Sequence, residues 1–131
     1  MLLVDGDPWP DWFRGLRRSA FHLEVRDSYS EPSENNRLRA FLAGEDPPDE
    51  RPVPWHGLMR ETTERGVSVA RVRVVTEPLS DYHRWLLSIT DRNIASGEDI
   101  RYLPRRRAGD APPDDFWLFD EEWVVYNVVE E

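Results

Sequence analysis

The sequence predicts a single α/β (or α+β) domain, with one mixed sheet of about five strands, helices mainly on one of its faces and a C-terminal β-hairpin. Three observations predict it. The stretch GVSVARVRVVTEPLSDYHRW, from Gly66 to Trp85, joins one clear central strand to an amphipathic helix across a proline-marked break. Strand-period and helix-period segments alternate in the order α-β-α-α-β-α-β before two strands follow in succession, which implies parallel pairing through helical crossovers early and a hairpin late. Finally, the chain has 131 residues, of which 39% are hydrophobic, with six Trp and five Phe. A fold of this length buries roughly two-thirds of its unfolded surface and holds one core, so residues 1–131 form one domain.

The elements follow in chain order. Trp9, Trp12, Phe13 and Leu16 recur at spacings near three and four, giving a short amphipathic helix from about Pro10. From Phe21 to Arg26 the chain alternates, with Phe21, Leu23 and Val25 on one side and His22, Glu24 and Arg26 on the other. Ser30 or Ser33 then caps a helix carrying Leu38, Phe41 and Leu42 that Gly44 ends. The acidic, proline-rich EDPPDERPVP is a loop. Trp55, Leu58, Met59 and Thr62 mark a helix from about Val53 to Arg65, and Gly66 supplies the left-handed residue that closes it. The strand Val67–Val75 puts Arg71 and Arg73 on one face and Val72 and Val74 on the other. Pro78 ends that strand and suits the first turn of the next helix, which Leu79, Tyr82, Leu86 and Ile89 carry to about Ala95. Ile100–Leu103 is a short strand, Arg105–Arg107 opens a loop, and Phe116–Phe119 and Trp123–Val129 are strands joined at Asp120-Glu121-Glu122.

Composition excludes several classes. There is no Cys, which removes disulfides, thiolate metal ligands and a Cys nucleophile and favours a reducing, cytoplasmic setting. No apolar run approaches the ~20 residues of a membrane span, and the N-terminus lacks the pattern of a secretory signal. All 17 basic residues are Arg, a usage that GC-rich coding favours. A net charge of -9 repels phosphate backbones, so direct nucleic-acid binding is not expected.

The candidate site is a polar sheet face. If the early strands lay their apolar sides under the helices, the opposite side collects His22, Glu24, Arg26, Arg71, Arg73 and Arg101. Same-face neighbours on a strand stand about 7 Å apart, so Arg71 and Arg73 either clamp an anionic group or form ion pairs with Glu24 and another acid. A secondary cluster is Glu77, Asp81, Tyr82, His83 and Arg84, where the dipole at a helix N-terminus already accounts for Asp81. Trp9, Trp12 and Trp117 are either core residues or interface anchors. The three His lack a short metal-ligand spacing, and no Gly-rich phosphate loop, GxSxG elbow or HExxH helix is present. No catalytic residue, metal or cofactor is therefore assigned.

Phe21-His-Leu-Glu24, Gly66 to Val75, Glu77-Pro-Leu-Ser-Asp81-Tyr82 with Arg84-Trp85, Gly97-Glu-Asp-Ile-Arg101 and Phe116-Trp-Leu-Phe-Asp120 together resemble an actinobacterial family, the domain of unknown function 6879. Such proteins are associated with helix-turn-helix regulators, so the resemblance implies a regulatory role and a helix-turn-helix regulator as protein partner. The strand-helix-strand centre also looks loosely like half of a phospholipase D-like domain, whose HxK…D motif is unmatched because the chain has no Lys. The resemblance further implies additional helix beyond Glu131, which a truncated or a naturally short chain would lack. The leading expectation is a noncatalytic protein-interaction module. The alternative is a sensor of a small anion through Arg71, Arg73 and Arg101, and an enzyme ranks third.

Overall fold

The computed structural model describes residues 8–27, 32–45 and 54–127. Their elements are α1 (Trp9–Arg14), β1 (Ser19–Glu24), α2 (Pro32–Leu42), α3 (Pro54–Glu64), β2 (Ser68–Val75), α4 (Asp81–Ala95), β3 (Asp99–Pro104), a 3-10 turn at Arg105–Arg107, β4 (Asp115–Phe119) and β5 (Trp123–Asn127). The element order and the single mixed five-stranded sheet with its C-terminal hairpin agree with expectation. Ser30, the proline-rich loop at 46–53 and the strand end at 128–129 lie outside the described residues, and Ser33 falls inside α2. The fourth helix starts later than Pro78 suggests: Ser80 is its N-cap and accepts from the His83 amide, leaving Pro78 in the preceding turn.

The sheet runs β3-β2-β1-β4-β5. β1 pairs parallel with β2, and β2 parallel with β3, as right-sized helical crossovers require. β4 then returns antiparallel beside β1, and β5 folds back on β4. Asp120 and Glu121 take φ of 53° and 60° in the connecting turn, where the Glu122 amide closes on the Phe119 carbonyl at 3.0 Å. The Asp120 carboxylate receives the Arg17, Arg18 and Ser19 amides at 2.7–3.1 Å, pinning this turn to the entry of β1.

Register decides what each face carries. His22 pairs with Arg71 and Trp117, and Glu24 with Arg73, while Arg73 pairs with Tyr102. These residues therefore share one face with Ala20, Val69 and Phe119. That same face packs against Phe13 and Leu16 near α1 and against Leu58 and Met59 of α3, forming the main core with Trp9, Trp12 and Trp55 at its border. Edge-to-face contacts of Phe13 with Trp55, Trp117 and Phe119, at 5.2–5.4 Å, lock it. A second cluster joins Tyr82, Trp85 and Leu86 of α4 to Leu38 and Phe41 of α2. The helices thus gather over the face that bears the charges.

The opposite face carries Phe21, Leu23, Ala70, Val72, Leu103, Phe116 and Leu118, all half-buried, with exposed Val124 and Tyr126. This reverses the expected arrangement. The strands turn the side holding His22, Glu24, Arg71 and Arg73 toward the helices, where Trp117, Phe119, Val69 and Ala20 of the same side pack in the main core.

Candidate functional site

The polar residues form a closed layer between sheet and helices. Glu24 is its centre: Oε1 accepts from Arg71 Nη1 at 2.7 Å and Oε2 from Arg73 Nε at 3.0 Å. Arg71 extends its other arm to Glu98 at 2.9 Å, and Glu98 also receives Trp55 Nε1 at 3.1 Å and Asn93 Nδ2 at 2.8 Å. Arg73 Nη1 reaches Tyr102 at 2.8 Å and Thr90 at 3.2 Å, and Thr90 donates to the Leu86 carbonyl of its own helix. Aromatic rings complete the packing, with the Arg71 guanidinium 5.8 Å from the Trp55 ring and 5.6 Å from Trp117.

Two carboxylates face two guanidiniums here, so the layer is neutral overall. Burial raises the Glu24 pKa, but Arg71 and Arg73 outweigh it and hold the carboxyl below its usual range. His22 stacks on Trp117 at 4.2 Å and 7°. Burial, aided by Arg71, lowers its pKa to about 3. The imidazole is consequently neutral, and its 3.4 Å approach to Glu24 is a contact rather than an ion pair.

The remaining predicted residues do not join this layer. Arg101 pairs in register with Val72, which puts it on the other face, where it is exposed and bonds Asp99 at 3.3 Å. The expectation that it shares a face with Arg71 and Arg73 is corrected by that register. Arg26 lies two residues past the end of β1. The secondary cluster holds together only in part: Asp81 pairs with Arg84 and the Tyr82 ring lies against His83, while Glu77 pairs with Arg106 and Tyr82 donates to Glu34 at 3.1 Å. His83 is fully buried, with no hydrogen-bond partner for either ring nitrogen among the described residues, and burial lowers its pKa. Trp117 is a core residue and Trp9 and Trp12 pack at the core border, so none of the three is an exposed anchor.

The sequence marks Glu98 as an ion-pair residue beside Asp99 and Arg101, and the structure pairs it with Arg71 instead; Thr90, Tyr102 and Asn93 were missed as partners in the layer. Their signal is weak because Thr90 and Asn93 belong to α4, Tyr102 to β3 and Glu98 to the link between them, and only the packing of α4 on the sheet brings them together. Sequence reasoning also missed an open groove of about 640 Å³ between α3 and α4, lined by Pro54, His56, Gly57, Arg60, Arg92, Ala95 and Ser96. Among the described residues, no group of three or more His, Asp or Glu side chains is placed to hold a metal ion, and no helix is long and apolar enough to cross a membrane.

A family model described as a domain of unknown function (DUF6879) matches residues 7–131. Neither the curated proteins nor the solved structures contain a match.

Proposed function

The chain belongs to the DUF6879 family, and on that footing we propose that it is a noncatalytic module that binds a partner protein. One observation carries the reading: Val124 and Tyr126, alternate residues on the open face of one five-residue strand, are 44% and 61% exposed beside the Phe116 ring. Apolar side chains gathered at one surface locus favour a protein partner, whereas singly scattered ones do not. The charged layer favours the same reading from the opposite direction, since its guanidiniums are filled by Glu24 and Glu98 and present no open cradle to an anion.

The partner we favour is a helix-turn-helix transcriptional regulator, and the role regulatory, in the cytoplasm. The family resemblance supports that choice, and a net charge of -9 supports leaving DNA contact to the partner. The test is capture from the native host with the tagged chain, followed by reconstitution from purified components. A specific regulator that re-forms the complex supports the reading; retention of nothing beyond chaperones defeats it.

A second reading is favoured by the α3–α4 groove. Arg60, Arg92 and His56 line it with no acid among the described lining residues, which suits a small anion better than the Arg71–Arg73 layer does. Inorganic phosphate that raises the melting temperature of the wild type, but not of Arg60→Ala/Arg92→Ala, would support it. Equal shifts in both would defeat it.

A further inference from the structure

The groove between α3 and α4 collects three basic side chains that the fold itself does not use. His56 and Arg60 stand one helical turn apart on α3, and Arg92 lines the groove from the last turn of α4. Among the described residues, none of the three side chains makes a hydrogen bond or an ion pair. Two acids nearby in the chain are engaged elsewhere: Glu61 pairs with Arg14 at 3.5 Å, and Glu98 receives Arg71, Trp55 and Asn93. Helix capping does not account for Arg92 either. The last carbonyls of α4 already receive main-chain amides, those of Arg92 and Asn93 from Ser96 and that of Ile94 from Gly97, and Ser96 Oγ also donates to the Arg92 carbonyl. Cations left unpaired at one groove of a chain with 26 acids and 17 arginines mark a place where the negative charge comes from outside.

The walls and the size narrow the ligand. Pro54, Gly57 and Ala95 offer small contacts, and a Cβ built on Gly57 would meet nothing within 4 Å, so the α3 wall is open down to its backbone. A volume of about 640 Å³ lies in the range of small-molecule sites and is far more than one phosphate fills. Two guanidiniums on neighbouring helices match two linked anionic groups. A long hydrocarbon tail is a poor match for an open groove, because much of it would stay in water. We propose that the α3–α4 groove binds a nucleoside diphosphate. Arg60 and Arg92 hold the diphosphate from the two walls, and the base and sugar lie along Pro54, Gly57 and Ala95 beside the His56 ring. The inference rests on the small-anion reading and names the class of the anion.

The experiment titrates the full chain, with no metal ion added, with ADP, pyrophosphate, inorganic phosphate and adenosine, read by calorimetry. The net charge of -9 opposes nonspecific anion uptake, so binding reports a built site. ADP should bind at least about tenfold tighter than inorganic phosphate, with pyrophosphate between them and adenosine inert. Arg60→Gln and Arg92→Gln should each weaken ADP at least about tenfold. Gly57→Leu puts a side chain into the groove at a helical position where glycine is costly. It should block ADP and keep the melting temperature at or above wild type. Amide exchange with ADP bound should slow at residues 55–60 and 92–96 and stay unchanged in Trp123–Asn127. ADP no tighter than inorganic phosphate, or pyrophosphate as tight as ADP, overturns the nucleoside diphosphate while the small-anion reading stands. ADP binding that survives Gly57→Leu or both arginine variants lies elsewhere and overturns it as well. If neither inorganic phosphate nor ADP binds the wild type, both fall together.

Discussion

Arg71 and Glu24 meet at 2.7 Å between the sheet and its helices, with 11% and 8% of their side chains exposed. Because the same carboxylate also holds Arg73, it neutralises two guanidiniums that have little access to water. Glu24→Gln keeps the shape and removes the charge. Breaking a buried pair by removing one partner costs about 3–5 kcal/mol, and urea denaturation should read a loss in that range. Arg101→Ala, at a side chain 77% exposed, should stay within about 0.5 kcal/mol of wild type.

Arg71→Lys preserves charge and tests geometry. A single ammonium cannot reproduce the fork that bridges Glu24 and Glu98 while lying between Trp55 and Trp117. The expected loss is about 1–3 kcal/mol, the cost of leaving a buried acceptor short of its donor. Wild-type stability in this variant would mean that charge balance alone holds the layer.

Acid should destabilise the fold in two stages. The folded His22 pKa is depressed from 6.5 to about 3, chiefly by burial and then by Arg71. Below pH 6.5 the unfolded chain takes up a proton that the native chain refuses, so stability is complete above 6.5 and falls as pH drops toward 3. One such group gives a slope of up to about 1.4 kcal/mol per pH unit. Glu24 adds to this below pH 4.5, where the unfolded carboxyl protonates before the native one. Urea titrations at pH 7, 6 and 5 should give a shallower slope for His22→Phe than for wild type. Parallel slopes would assign the acid sensitivity elsewhere, with His83 the next group to replace.

Two glycines should respond with opposite sign. Gly97 has φ +109°, and an added Cβ would lie 2.8 Å from Thr63 Cβ and Cγ2, so Gly97→Ala strains both backbone and packing. Gly57 sits within α3, and its added Cβ would meet nothing within 4 Å, so Gly57→Ala should stabilise by about 0.5–1 kcal/mol. Thermal melts of the two variants give the comparison directly.

Much of this fold was legible because its elements are short and strongly periodic. Alternation in Phe21–Arg26 and Val67–Val75 located β1 and β2 within about two residues, the usual blur of such boundaries. Gly66, at φ +96°, ended α3 as its position suggested. Parity made His22 with Glu24, and Arg71 with Arg73, readable as same-face pairs, and the β1–β2 register then sets the two pairs on one face. Which face turns inward was not readable. Counting charge on β1 and β2 points the arginines to water, and only the register with Trp117 and Phe119 of β4 reveals the core aromatics that share their face. Arg101 was misplaced for a related reason, because parity within β3 says nothing about its phase against β2 until the Val72–Arg101 pairing is known. The exposed β5 edge escaped notice because a strand of Trp, Val and Tyr reads as interior until its position at the end of the sheet order is seen.

The central place of β1 has a consequence for how the chain is made. One neighbour, β2, begins at Ser68, and the other, β4, begins only at Asp115, with Asp120 reaching back across 102 residues to Arg18. Such distant closure slows folding, because loop entropy is spent before the contacts that reward it exist. A nascent chain emerging from the ribosome therefore carries β1 with one flank uncovered until β4 is made, and chaperone demand should track the delay before β4 appears.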